Sequence, residues 1–60
     1  MTAREVIRRL KDDGWTELRH SKHLILTKDG KICPVPIHGA KDLKTGTLSS
    51  IERITGVKLK

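Results

Sequence analysis

The stretch His23-Leu24-Ile25-Leu26-Thr27-Lys28-Asp29-Gly30-Lys31-Ile32-Cys33-Pro34-Val35-Pro36-Ile37 decides how this chain folds. Asp-Gly between two apolar runs marks a two-residue hairpin turn with both central residues at positive φ. Residues 23–28 are then one strand and 31–37 the next, and the turn fixes their register. Lys28 faces Lys31, Leu26 faces Cys33, Leu24 faces Val35 and His23 faces Pro36. Leu24, Leu26, Cys33, Val35 and Ile37 share one face, which must be the core face. His23, Ile25, Thr27, Ile32, Pro34 and Pro36 share the other. In such a hairpin the Lys28/Lys31 pair is hydrogen-bonded and the pairs alternate along the strands. Pro34 and Pro36 fall at non-bonded positions, so their missing N–H groups face away from the 23–28 strand. The 31–37 strand is therefore an edge that its prolines close to further pairing.

Upstream, Trp15-Thr16-Glu17-Leu18-Arg19 alternates and reads as a first strand on the free side of 23–28. The sheet order is 1-2-3. A three-residue loop, His20 to Lys22, is the preferred connection: it sets Arg19 opposite His23 and turns Leu18 inward with Leu24. A two-residue loop would put Leu18 on the open face. Residues 2–13 read as a helix, with Thr2 as N-cap and Glu5 completing a capping box. Ala3, Val6, Ile7 and Leu10 form its apolar stripe, and Gly14 ends it. Residues 38–45 form a basic loop. Thr45 caps a second helix over 46–55, with Leu48, Ile51 and then Ile54 or Thr55 inward, and Gly56 ends it. Val57 and Leu59 can pack against the body. The fold class is α+β in the order αβββα, a three-stranded antiparallel sheet with two helices on one face. It resembles the double-stranded-RNA-binding domain, a likeness of fold that carries no activity by itself.

With 60 residues the chain makes one domain, 1–60, with room for a single thin core and no deep cofactor pocket. A net charge of +6 favours an anionic partner: nucleic acid, an anionic membrane or an acidic protein. Trp15 is the only aromatic residue, which argues against single-strand binding by base stacking. Cys33 is the only cysteine, so no internal disulfide or cysteine-based zinc site can form, and it reads as a small core residue. No signal peptide or membrane span is evident, and the expected compartment is the cytoplasm. Arg4, Arg8, Arg9 and Lys11 read first as a solvated helix face and second as nucleic-acid contacts.

His20, Ser21, Lys22 and His23 cluster at the mouth of the first hairpin. His20, His23 and His38 could form a metal site, but no carboxylate stands beside them and Arg19, Lys22 and Lys41 would repel a dication. Ser21 has a histidine nearby but no clear third member of a triad. Phosphoester chemistry on RNA fits better. RNA supplies its own nucleophile, the 2′-OH, and needs a histidine for proton transfer and cations to hold the phosphate. His23 on the open face, with Arg19, Lys22 and Lys28 nearby, offers both. Taken alone, an exposed histidine in a basic patch is more often a phosphate contact or a bystander.

The chain resembles the HicA family of toxin mRNA interferases, partners of HicB antitoxins. The resemblance runs through Gly14-Trp15, Ser21-Lys22-His23-Leu24, Val35-Pro36, Lys41-Asp42-Leu43-Lys44, Gly46-Thr47-Leu48 and Ile54-Thr55-Gly56-Val57, in order across nearly all 60 residues. The family's strand-opening motif is usually Gly-Ser followed closely by a histidine taken as catalytic, which maps onto His23. His20 stands where the family usually has Gly, and its role is open: acid partner of His23, phosphate contact or bystander. Lys22 replaces a small or polar residue. The resemblance implies a metal-independent, histidine-dependent endoribonuclease of a type II toxin–antitoxin system that cleaves mRNA, with no cofactor. RNA contacts are expected from Arg19, His20, Ser21, Lys22, Lys28, Lys41 and Lys44. A HicB-type antitoxin would cover His23 in a hetero-oligomer, away from any membrane. The rivals are a non-catalytic RNA-binding module and a domain that docks an acidic protein.

Overall fold

A computed structural model describes residues 1–37, 39 and 41–59. The element order is α1 (Ala3–Asp12), β1 (Thr16–His20), β2 (His23–Lys28), β3 (Lys31–Pro36) and α2 (Thr45–Thr55). The strands form one antiparallel sheet in the order β1-β2-β3. The fold is α+β, αβββα, as the hydrophobic pattern predicts.

The β2–β3 hairpin follows the register dictated by its turn. Asp29 and Gly30 sit at φ 51° and 79°. The pairs run from Lys28/Lys31 through Leu26/Cys33 and Leu24/Val35 to His23/Pro36. Leu24, Leu26, Cys33 and Val35 are buried, and Val6, Leu10, Leu48 and Ile51 of the two helices close over them. Burial pushes the Cys33 thiol's pKa up, which keeps it protonated and inert. Ile37 departs from the expectation. It lies just past the end of β3 and is exposed, because the core at that end is filled from the loop by Leu43.

At the start of α1, the Thr2 hydroxyl accepts from the Glu5 backbone N–H at 3.3 Å. At its end, Gly14 N–H donates to the Lys11 carbonyl and Trp15 N–H to the Leu10 carbonyl, both at 3.0 Å. This pair of bonds is a Schellman stop, with Gly14 at φ 101° as its left-handed residue. It delivers Trp15 into the core beside Leu10, so Trp15 precedes β1 instead of opening it.

The β1–β2 pairing corrects the expected loop geometry. Thr16 and Glu17 pair with Thr27 and Leu26, whereas Arg19 and His20 pair with Ile25 and Leu24, and the register shifts between Glu17 and Arg19. The two ends of β1 demand pairings one residue out of phase. The Schellman stop seats Trp15 inward and sets Glu17 beside Leu26. The tight loop, in which Ser21 N–H donates to the His23 carbonyl at 3.1 Å, sets His20 beside Leu24. Leu18 is the extra residue that absorbs the difference as a β-bulge. It is 53% exposed, not turned inward with Leu24. Arg19 accordingly faces Ile25 and not His23.

α2 begins one residue earlier than expected. Thr45 is its first residue, Lys44 is the N-cap, and no side chain caps it. Thr55, not Ile54, turns inward: its hydroxyl donates to the Ile51 carbonyl at 2.7 Å, while Ile54 is exposed. Leu59 is buried, with its N–H donating to Glu52 Oε2 at 2.6 Å. Among the described residues no helix is long and apolar enough to cross a membrane.

A Cβ at Gly30 would meet no atom within 4 Å, so substitution there strains only the backbone. Gly30→Ala should destabilise the fold by about 1–2 kcal/mol, the usual cost of a left-handed non-glycine residue. A Cβ at Gly46, inside α2, also meets nothing, and Gly46→Ala should stabilise by about 0.4–1 kcal/mol. Urea denaturation of the two variants measures both, and equal effects would contradict the turn geometry.

Candidate nucleic-acid interface

His23 is the first residue of β2 and is exposed. Its face follows from the register: it shares the side of the sheet with Ile25 and Thr27 and, across the hairpin, with Ile32, Pro34 and Pro36. Leu24 and Leu26 point the other way, into the core. His23 and Pro36 form a non-hydrogen-bonded pair, so their Cα atoms are about 4.5 Å apart.

The bulge sorts the residues of the preceding strand. Pairing with Ile25 puts Arg19 on the His23 face, diagonal to His23 across the two strands, with Cα atoms about 7–8 Å apart. Pairing with Leu24 puts His20 on the helix side of the sheet. There it borders an open groove of about 520 Å³ together with Ala3, Arg4, Ile7, Glu17, Ile37 and Gly39. The two histidines of the hairpin mouth are therefore separated by the sheet. Ser21 and Lys22 are exposed in the loop between them.

Beyond Pro36, the cross-strand partner of His23, a second hollow of about 490 Å³ is lined by Pro36, Lys41, Asp42, Leu43, Lys44 and Thr47. Its wall is held from the N-terminus. Leu43 N–H donates to the Met1 carbonyl at 2.8 Å, Thr2 bridges to Asp42, and the Met1 amine meets Asp42 Oδ1 at 3.1 Å. Leu43 plugs the loop into the core. With Asp42 engaged by the N-terminus, the charge presented around the hollow is that of Lys41 and Lys44. The first turn of α2, which the N-cap side chain does not cap, adjoins them with no acidic residue, and the helix dipole makes this end electropositive.

A family model described as "HicA toxin of bacterial toxin-antitoxin" matches residues 3–57. The chain belongs to the HicA toxin family. Comparisons with curated proteins and with solved structures returned no match.

Not every residue expected at the interface of this HicA toxin gathers there. Lys28 lies five residues along β2 from His23, about 17 Å at the usual strand rise. It also points to the helix side, where its ammonium donates to the Asp13 carbonyl at 2.5 Å and to Asp13 Oδ2 at 3.1 Å. It neutralises the C-terminal end of α1 and is no neighbour of His23. Arg19, Ser21, Lys22, Lys41 and Lys44 surround the His23 end of the sheet, whereas His20 faces away. His38 lies outside the described residues. Among the described residues no cluster of three or more His, Cys, Asp or Glu is gathered that could hold a metal ion. Sequence reasoning missed Pro36 and Thr47 as walls of the basic hollow and the Asp42–Leu43 anchor beneath it. The signal available was Asp-Leu set between Lys41 and Lys44: a lone apolar residue in a basic loop marks a tether.

Lys28→Ala should lower stability by about 1 kcal/mol or less, since its ion pair is partly open to solvent. RNA affinity, read by filter binding, should stay at the wild-type value. A marked drop in affinity would return Lys28 to the interface.

Proposed function

We propose that this HicA toxin is a metal-independent endoribonuclease that cleaves mRNA in the cytoplasm through His23 and is held in check by a HicB-type antitoxin. The observation that carries this reading is the convergence at one end of the sheet. An exposed imidazole at the start of β2 shares a face with Arg19 and adjoins, across Pro36, the hollow bordered by Lys41 and Lys44. The resemblance of Ser21-Lys22-His23 to the family's strand-opening motif supports the same choice of histidine.

The chemistry needs little more. The RNA 2′-oxygen loses its proton and attacks the adjacent phosphorus. The bond from phosphorus to the 5′-oxygen breaks, leaving a cyclic phosphate, and the departing 5′-oxygen takes up a proton. His23 serves one of the two proton transfers and water the other. Arg19 holds the phosphate oxygens on the sheet face as charge builds on them. Lys41 and Lys44, beside the uncapped start of α2, hold a neighbouring phosphate of the strand. Ser21 and Lys22 contact the backbone from the loop. The placement of His20 behind the sheet argues against a two-histidine mechanism. Its side chain belongs to the groove beside Arg4 and Glu17, and it is a bystander to the cleavage step.

The second reading, a non-catalytic RNA-binding module, keeps the same basic hollow and differs only in the absence of cleavage. A gel assay on long RNA separates the two. Wild-type protein should cleave with EDTA present. His23→Ala should lose at least about a hundredfold in rate, the usual contribution of a positioned acid–base group, and should still shift RNA. His20→Ala should cleave within a fewfold of wild type. RNA shifted but uncut by the wild-type chain would leave the binding module. Equal cleavage by wild type and His23→Ala would remove His23 from the mechanism.

A further inference from the structure

The hollow beside Pro36 is lined by more than a phosphate needs. Lys41 and Lys44 supply positive charge, but Pro36 and Leu43 add apolar surface, Thr47 a hydroxyl and Asp42 a carboxylate. A phosphate gains nothing from the apolar walls and is repelled by the carboxylate. Apolar surface with a few placed polar groups is the lining of a small-molecule site, and a hollow of about 490 Å³ falls within the roughly 300–1,000 Å³ of such sites. Asp42 is also the one lining side chain that the cleavage chemistry leaves unused. Its Oδ1 meets the Met1 amine at 3.1 Å, which offsets its charge, yet its side chain is 76% exposed. A carboxylate has about four lone-pair positions, so Asp42 keeps acceptor capacity beyond that ion pair. Thr47 is half-buried in the first turn of α2, with a hydroxyl that both donates and accepts.

Resting on the ribonuclease reading above, we propose that this hollow reads a base: it takes a guanine from one of the two nucleotides that flank the cut phosphate. Asp42 accepts from the guanine N1–H and its 2-amino group, the Thr47 hydroxyl donates to O6, and the ring lies against Pro36 and Leu43. Place and chemistry both select this occupant. Pro36 is at once the cross-strand partner of His23 and a wall of the hollow, so a base splayed out beside a phosphate at His23 enters it directly. Trp15, the only aromatic residue, is 2% exposed, so a base cannot be held by stacking on an aromatic ring and must be held by shape and by its polar edge. Guanine alone presents two adjacent N–H donors on that edge, with a carbonyl acceptor next to them. Adenine and cytosine set one amino donor beside a ring nitrogen lone pair, which a carboxylate repels, and uracil sets a single N–H between two carbonyls. Lys41 and Lys44 on the rim hold the phosphate of the same stretch, so affinity and base choice come from different residues of one hollow.

The test uses the full chain on a long RNA, with every cut mapped from the fragment ends, and then on a short RNA that holds one preferred site. Wild-type cuts should fall next to guanine about tenfold more often than next to other bases, the usual worth of a paired base contact. Asp42→Asn turns one acceptor into a donor that faces the guanine donors, and should remove that preference while cuts next to other bases persist. Thr47→Val, which keeps the shape and loses the hydroxyl, should reduce the preference severalfold. Changing the RNA gives a reading free of any folding defect. Inosine in place of the guanine lacks the 2-amino group and should be cut about tenfold more slowly. 7-Deazaguanine keeps the whole edge and should be cut at the guanine rate. Cuts indifferent to guanine, or inosine cut as fast as guanine, overturn the inference and leave the ribonuclease reading standing. Asp42→Asn slowing all sites equally, with the guanine preference intact, would make Asp42 a tether only and overturns it too. A wild-type chain that cuts no RNA removes both.

Discussion

The structure depends on the turn at Asp29 and Gly30. Two consecutive residues at positive φ give the hairpin a twist that matches its strands, and a two-residue loop admits only one register. That register is binary in its consequences, since a slip of one residue would move every side chain of β2 and β3 to the opposite face. Held where it is, it gathers Leu24, Leu26, Cys33 and Val35 under the helices and leaves His23 on the uncovered side, beside Pro36. The two prolines then fall where their lack of an N–H costs the ladder nothing. A core of this size has little stability to spare, so the same turn that folds the domain also places its candidate catalytic group.

A second constraint acts on β1. The Schellman stop at Gly14 and the tight loop at Ser21 each set the phase of the strand, and they disagree by one residue. The chain resolves the disagreement with the Leu18 bulge. The resolution divides the polar cluster at the hairpin mouth: Arg19 joins His23, and His20 goes to the groove beside α1. The proposed mechanism, one histidine with an arginine and two lysines, is the product of this sorting. Beneath the lysines, the N-terminal residues and Leu43 hold the basic loop against the end of the sheet, so the charges of Lys41 and Lys44 stand on a tethered base.

What could be read from the sequence was what local motifs decide alone. Asp29-Gly30 gave the β2–β3 register pair by pair, Thr2 and Glu5 gave the start of α1, and Gly14 gave its end. What could not be read arose where two motifs compete or where distant segments meet. The bulge comes from the conflict between Trp15 and the Ser21 loop, neither of which signals it, and so the outward position of Leu18 and the facing of His20 were lost. Lys28 reads as one more cation of a basic face because its partner, Asp13, belongs to another element. The basic hollow needs Pro36, Lys41, Lys44 and Thr47 brought together from a strand, a loop and a helix. His23 was legible because its place rests on the turn alone.

The central claim is that the sheet divides the two histidines, with His23 facing the RNA and His20 facing away. The most direct measurement is an NMR titration of the histidine ring signals with an RNA whose 2′-hydroxyls are methylated, so that it binds and cannot be cleaved. The account predicts that the His23 ring signals shift with added RNA, together with the Arg19 side-chain signals, while the His20 ring stays in place. Movement of the His20 ring with the His23 ring unmoved would contradict it.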